Sequence, residues 1–218
     1  MKEEKLLKLE NFPMIEPKEI DTKEDTFQRL MFIYSSALKD MENKIGQLKE
    51  QFEYLYNYNL IDHVSTRIKS PESIMKKMQR KNCEMTYQEL IQNINDIAGI
   101  RIICNVKEDI FLVKELIKNF PNLKILKEKD YVTTPKKSGY SSYHLIIQSP
   151  INIANEIVYV KTEIQIRTKA MDFWASLEHD IKYKSNGKIT PKISKELVKC
   201  AQIINKIDSQ MSKLYKEA

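Results

Sequence analysis

In VKTEIQIRT, residues 160–168, polar and apolar side chains alternate one for one. A period of two places Lys161, Glu163, Gln165 and Arg167 on one face of a β-strand and Val160, Thr162, Ile164 and Ile166 on the other. One face suits a core; the other is either a solvated surface or a site. Shortly upstream, SGYSSYH (residues 138–144) supplies a glycine turn, then Tyr140 and His144, and leads into a second apolar run from Tyr143 to Ser149. The two segments gather a turn, an aromatic, a histidine, a carboxylate, an amide and an arginine on two successive strands.

Around them the pattern alternates between helix and strand. Phe27, Met31, Tyr34, Leu38, Met41, Ile45, Leu48, Phe52 and Leu55 step by four and three, which predicts a long helix with a heptad seam. Ile193, Leu197, Cys200, Ile204, Ile207, Met211 and Leu214 repeat the rhythm near the other end, so the two seams pack on each other or on a second copy of the chain. Between them, Ser70 and Pro71 read as the N-cap and first residue of a helix to about Lys81, with Ile74 and Met78 inward. A further helix over Tyr87 to Asn95 leads through Gly99 into a strand carrying Ala98, Ile100, Ile102, Cys104 and Val106 on one face and Arg101 on the other. A helix from Ile110 to Phe120, strands near Leu123 to Leu126, Tyr143 to Ser149 and Ile157 to Ile166, and a helix from Thr168 to Tyr183 follow. In that last helix Ala170, Phe173, Trp174, Leu177 and Ile181 are expected to face the core, and Asp172, Ser176, His179 and Tyr183 to face away. The order predicts a mixed α/β (α+β) fold, a mixed sheet flanked by helices whose polar face forms a cleft.

Composition narrows the function. The 218 residues carry a formal net charge of +6, which suits anionic partners or a generally basic surface. Only five of the 36 basic residues are arginine, and four of those, Arg67, Arg80, Arg101 and Arg167, fall in the middle segment. The planar guanidinium grips phosphate and stacks on rings, so this concentration points to nucleotide or phosphate recognition. No apolar run reaches the roughly 20 residues of a membrane span, and the charged start lacks the apolar stretch of a signal peptide, so a cytoplasmic protein is expected. Cys83, Cys104 and Cys200 lie far apart and are expected to be reduced, buried thiols.

The ordered set RIKS, SIMKKMQRK, NDIAGIRIIC, KEKDYVTTPKKSGYSSYH and EIQIRTKAMDFWASLEHDIKYK, spanning Arg67 to Lys184, resembles the synthetase domain of the RelA/SpoT family. In length the chain is most similar to the stand-alone small alarmone synthetases of the RelQ type. The resemblance implies a single nucleotidyltransferase-like synthetase domain over 1–218: a helical region to residue 60, a catalytic core over 61–184 and a C-terminal helix over 185–218. It implies transfer of the β,γ-diphosphate of ATP to the 3′-hydroxyl of GDP or GTP, giving (p)ppGpp and AMP.

By the same resemblance Asp96 and Glu163 hold Mg²⁺, Glu163 also serving as base. Arg67 and Arg101 sandwich adenine, and Lys69, Lys77 and Arg80 clamp the ATP phosphates. Tyr140 stacks on guanine, and Lys129, Lys136, His144, Gln165 and Arg167 line the acceptor side. A homotetramer is implied, with an alarmone site in its central cleft near Asp172 and His63. An Asn and a Phe commonly stand at those two positions, so Asp172 is expected to repel an alarmone there. Ser141 replaces an arginine frequent after the tyrosine. A different class of protein, a non-catalytic basic RNA-binding module, draws on the same charge and on Tyr140 and Tyr143 beside lysines, but has no need of Asp96 and Glu163 in one cleft.

Overall fold

The computed structural model describes residues 23–154, 156–185 and 189–217. Its centre is a five-stranded sheet: β1 (Ile61–Ile68), β2 (Ala98–Cys104), β3 (Lys124–Asp130), β4 (Tyr143–Ile153) and β5 (Glu156–Thr168), in the spatial order β1-β2-β5-β4-β3. β2 and β5 run parallel and every other neighbouring pair is antiparallel, so the sheet is mixed, as expected. The alternation in β5 holds: Val160, Thr162, Ile164 and Ile166 are buried, and Lys161, Glu163 and Gln165 are partly open.

Residues 61–68, for which no strand is predicted from the sequence, form β1. IDHVSTRI has few apolar residues because β1 is an edge strand whose outer positions face solvent. Pairing brings Arg67 opposite Gly99 and Ser65 opposite Arg101. β3 also runs further than predicted and takes in KEKD.

The apolar face of the sheet is covered by α1 (Lys23–Tyr56) and α4 (Lys107–Lys118). Tyr34, Leu38, Met41 and Ile45 of α1 are buried in one core with Ile100, Ile102, Ile147, Ile164 and Ile166, and Leu48 is buried one turn on. Over Tyr34 to Ile45 the first heptad seam is therefore spent on the chain's own sheet instead of the C-terminal seam, and Leu55 at its end is exposed. A stripe of period 3.5 on an isolated helix looks the same whether its partner is a helix or a sheet. α2 (Pro71–Arg80) begins as predicted, with the Ser70 hydroxyl accepting from the Ser73 N–H and with Ile74 and Met78 inward. α3 (Tyr87–Asn93) ends where the Lys161 ammonium donates to the carbonyls of Ile91 and Gln92.

α5 (Lys169–Lys184) follows β5 without a loop: Thr168 ends the strand and caps the helix, its hydroxyl accepting from the Met171 N–H. That cap fixes the helix's rotation, which differs from the prediction. Met171, Trp174, Ala175 and Glu178 are buried, whereas Phe173 and Leu177 are exposed. α5 is turned toward α6 (Pro191–Glu217), to which the Trp174 indole donates at the Leu197 carbonyl, 3.1 Å away.

α6 packs Leu197, Ala201 and Ile204 against Trp174, Ala175 and Tyr140, and is held by polar groups as well. Thr168 donates to Asp208, and the Lys107 ammonium reaches Asn205 and Ser209. The predicted stripe is split: Leu197 and Ile204 pack inward, whereas Ile207, Met211 and Leu214, with Ile203 beside them, are exposed. The cysteines also depart from expectation: Cys104 is buried, Cys83 half-buried and Cys200 exposed.

Candidate active site

Strand register assembles the polar face. Ser65, Arg101, Gln165, His144 and Lys129 pair in one row across all five strands, and Arg67, Gly99 and Glu163 form the row beside it. Paired residues share a face, so side chains remote in sequence project into one cleft. One part of it, about 240 Å³, is lined by Ser65, Thr66, Arg67, Gly99, Ile100, Arg101 and Gln165. The Arg67 side chain lies over Gly99, in van der Waals contact at 3.5 Å from where a Cβ would sit. Arg67 and Arg101, assigned to a base sandwich, are diagonal neighbours on this wall.

Next to that wall stands a charge cluster. Asp96 precedes β2, and its Oδ2 accepts from Lys69 (2.9 Å) and Lys77 (2.6 Å). Lys69 is held by its own backbone, whose N–H donates to the Ile97 carbonyl, and Lys77 reaches in from α2. Arg80, one turn beyond Lys77, is exposed. Burial alone pushes the Asp96 carboxyl up, but the bonds from Lys77 and Lys69 outweigh it and hold the group below the usual carboxylate range. Its other oxygen, Oδ1, is buried with no hydrogen-bond partner among the described residues. An unpaired buried carboxylate oxygen is costly unless a cation completes it.

Glu163 lies at the sheet centre and feels the Asp96 charge. Burial raises its carboxyl, and contacts with His144 and Gln165 lower it further than burial lifts it, so it too sits below the usual range. His144 Nδ1 is 3.3 Å from Oε1, and Gln165 Nε2 donates to Oε2 at 2.8 Å. Across the sheet, Tyr140 is edge-on to Tyr131 and His144, at centroid distances of 6.2 and 5.8 Å. The Lys136 ammonium lies 4.6 Å from both tyrosine rings. Lys129 is exposed on β3 at the outer end of the row. The turn before Tyr140 closes with the Gly139 N–H donating to the Lys136 carbonyl.

The candidate residues Asp96, Glu163, Arg67, Arg101, Lys69, Lys77, Gln165, His144, Tyr140, Lys136 and Lys129 are thus brought to this face or its rim, but several details were missed. Arg167 is buried, only 4% exposed, and donates to Asp172, Tyr140 and Gln165 instead of projecting into the cleft. Asp172, expected on the outer face of α5, accepts from Arg167 at 2.9 Å and pairs with Arg101 at 3.3 Å. Its charge is neutralised by two arginines, so the expectation of an uncompensated carboxylate facing a central cleft is corrected. The signal was its place in the first turn of a helix beginning two residues after Arg167. Tyr131, which buttresses Tyr140 and His144, carried no motif of its own. Tyr143 is a core residue: its ring packs edge-on to Phe111 and its hydroxyl donates to Glu128 at 2.6 Å.

The sequence profile described as the region found in RelA/SpoT proteins matches residues 66–188, more than half of the chain. The chain belongs to the RelA/SpoT family. A Bacillus subtilis member, GTP pyrophosphokinase YwaC, is 42% identical over 199 residues, covering 91% of this chain and 95% of its own. Two crystal structures from the same organism match most of the chain. Small alarmone synthetase 2 matches with a TM-score of 0.80 at 42% identity, over 88% of this chain and 99% of its own. Small alarmone synthetase 1 bound to its product pppGpp matches with a TM-score of 0.82 at 33% identity, over 88% of this chain and 97% of its own.

Proposed function

We propose that this chain is a GTP pyrophosphokinase that transfers the β,γ-diphosphate of ATP to the 3′-hydroxyl of GDP or GTP, making (p)ppGpp and releasing AMP. One observation carries the reading. Two ionised, largely buried carboxylates, Asp96 and Glu163, stand between an arginine-walled cleft and an aromatic, histidine-bearing pocket. Family membership and the kinship with named (p)ppGpp-related synthetases support it.

In this reading ATP lies on the β1–β2 side. Arg67 and Arg101 hold the adenine by stacking, and Lys69, Lys77 and Arg80 hold the phosphates. The acceptor lies on the β4 side, its guanine on the Tyr140 ring, with Lys129, Lys136 and His144 about its phosphates. The 3′-oxygen bonds to the β-phosphorus as the bond from that phosphorus to the oxygen bridging the α-phosphate breaks. The bridging oxygen leaves on AMP, and the hydroxyl proton passes to Glu163, which is deprotonated at neutral pH and therefore able to accept it. Asp96 and Glu163 would also hold Mg²⁺, for which the unpartnered Asp96 Oδ1 leaves a free ligand atom. When bound, that ion supplies charge neutralisation of the phosphate oxygens.

The substrates place the reaction in the cytoplasm, and no described helix is long and apolar enough to cross a membrane. The outward stripe of α6 supports a homo-oligomer, a tetramer in this reading. A non-catalytic RNA-binding module leaves the two buried carboxylates unexplained, because a polyanion gains nothing from them. The test is to incubate the purified protein with ATP, Mg²⁺ and each of GMP, GDP and GTP, then separate the nucleotides. AMP and the 3′-diphosphorylated guanosine nucleotide should appear in equal amounts. Binding of RNA by the same protein, with no AMP formed from any acceptor, sinks the enzyme reading.

A further inference from the structure

Arg167 is almost fully buried, and its donors turn into the protein. Nη2 carries two hydrogens and meets two acceptors, the Tyr140 hydroxyl at 2.7 Å and Gln165 Oε1 at 2.6 Å. Nη1 is anchored on Asp172 at 2.9 Å. A guanidinium only donates and a carboxylate only accepts, so the direction of every bond that continues from Nη2 can be worked out.

On the first arm the Tyr140 oxygen accepts from Arg167, which leaves its own hydrogen for His144 Nε2, 2.8 Å away. The other imidazole nitrogen, Nδ1, faces Glu163 Oε1 at 3.3 Å. A bare Nδ1 lone pair against a carboxylate is repulsive, so Nδ1 carries the hydrogen and donates it. On the second arm Gln165 accepts from Arg167 at Oε1 and donates from Nε2 to Glu163 Oε2 at 2.8 Å. Both oxygens of Glu163 are thus held by arms that spring from one nitrogen.

We infer that Arg167 is a positioning residue of the transfer: through Tyr140 and His144 on one side and Gln165 on the other it orients the Glu163 carboxylate, and it does not grip the acceptor. The inference rests on the function proposed above for Glu163. It separates two jobs of Tyr140, whose ring serves the acceptor and whose hydroxyl fixes the tautomer of His144. A carboxylate held at both oxygens keeps one orientation toward the incoming hydroxyl, and misplacement of a reacting group by about 1 Å costs on the order of 100-fold in rate.

The experiment uses the full chain. It has three histidines, and His63 and His179 are exposed, so long-range ¹H–¹⁵N spectra of [¹⁵N]histidine-labelled protein resolve His144. Its signature should be that of a ring bearing hydrogen at Nδ1, and Tyr140→Phe should change it while leaving the other two in place. In steady-state assays Tyr140→Phe should lower kcat about 10-fold, the scale of one hydrogen bond, with the acceptor KM unchanged within about twofold. Arg167→Lys should lower kcat about 100-fold with both KM values nearly unchanged. Combining Tyr140→Phe with Gln165→Leu should cost more than the product of the two, because each single variant leaves one oxygen held.

A His144 ring with hydrogen at Nε2 and none at Nδ1 overturns the proposal, as does an Arg167→Lys variant that raises the acceptor KM with kcat unchanged. Should Arg167→Lys fail to fold, the half-buried Tyr140→Phe gives the same kcat-against-KM decision. If the unmodified protein makes no product, the functional reading falls, and the imidazole spectrum still decides whether the two arms exist.

Discussion

At the scale of single residues the site is organised by what its two carboxylates touch. Glu163 is surrounded by uncharged or shared donors, so Glu163→Gln should remove nearly all transfer, 100-fold or more (~), with the thermal midpoint almost unchanged. Wild-type kcat in that variant would show that Glu163 neither binds the metal nor takes the proton. Asp96 differs, because its Oδ2 neutralises two partly buried lysines. Asp96→Asn should abolish activity and also cost about 1–3 kcal/mol, since Lys69 and Lys77 are left facing each other without a counter-charge. The pH dependence follows from sign. The folded-state value of Asp96 lies below its unfolded value of 3.8, so its stabilisation is fully present above that value and is lost as pH falls through the folded one. The gap in thermal midpoint between wild type and Asp96→Asn should be constant from neutral pH down to about pH 5 and close in stronger acid. A gap that widens in acid would contradict the assignment. On the other half of the cleft, Tyr140→Ala should raise the acceptor KM far more than the ATP KM, since stacking on one base is worth about 1–3 kcal/mol. Equal losses for both substrates would make the ring structural.

At the scale of elements, the sequence was legible where a pattern has one physical cause. The period-two run of β5 and the Ser70–Pro71 cap of α2 each admit a single local structure, and both are present in the fold; Gly99, read as a turn into β2, lies within the strand that begins at Ala98. The sequence was ambiguous where tertiary contacts choose between equivalent solutions. β1 is polar because it is an edge, α1's seam meets a sheet instead of a helix, and α5's rotation is set by Thr168 and by Arg167 pairing with Asp172. Arg167 and Asp172 also show why a site residue's partner is harder to read than its presence: strand alternation puts Arg167 on the right face, but only the following helix decides that it is buried. The Tyr140 turn gives an element-scale prediction. Gly139 has φ +91°, and a Cβ there would collide with the Ala201 side chain of α6. Gly139→Ala combines left-handed strain of about 1–3 kcal/mol with that clash. It should lower the thermal midpoint by several degrees (~) and raise the acceptor KM, because the turn that presents Tyr140 must move away from α6. An alanine variant as stable as wild type would mean that the turn and α6 are not in contact in solution.

At the scale of the whole molecule, the apolar surface has two different fates. Leu48 is buried among the chain's own core residues, whereas Ile207 and Met211 are 50% and 59% exposed on the face of α6 turned away from Asp208 and Ser212. α6 is attached to the rest of the fold by an apolar contact, Leu197, Ala201 and Ile204 with Trp174, Ala175 and Tyr140, and by polar groups: Thr168 to Asp208, Lys107 to Asn205 and Ser209, and the Trp174 indole to the Leu197 carbonyl. Ile203, Ile207, Met211 and Leu214 are left outward, a second apolar face available to another surface, which is the property the proposed homo-oligomer requires. The two seams, equivalent in sequence, should therefore respond oppositely to one charge. Leu48→Lys places an ammonium in the subunit core without a partner and should unfold the chain, at a cost of several kcal/mol. Ile207→Lys leaves the subunit fold intact and should dissociate the assembly, because the lysine is solvated in the separate subunit and buried only in the oligomer. Light scattering and circular dichroism on both variants separate the cases: a helical, monomeric Ile207→Lys protein is the expected result. An unmodified protein that is already monomeric at micromolar concentration, or an Ile207→Lys variant of unchanged mass, would mean that the α6 face is not the interface.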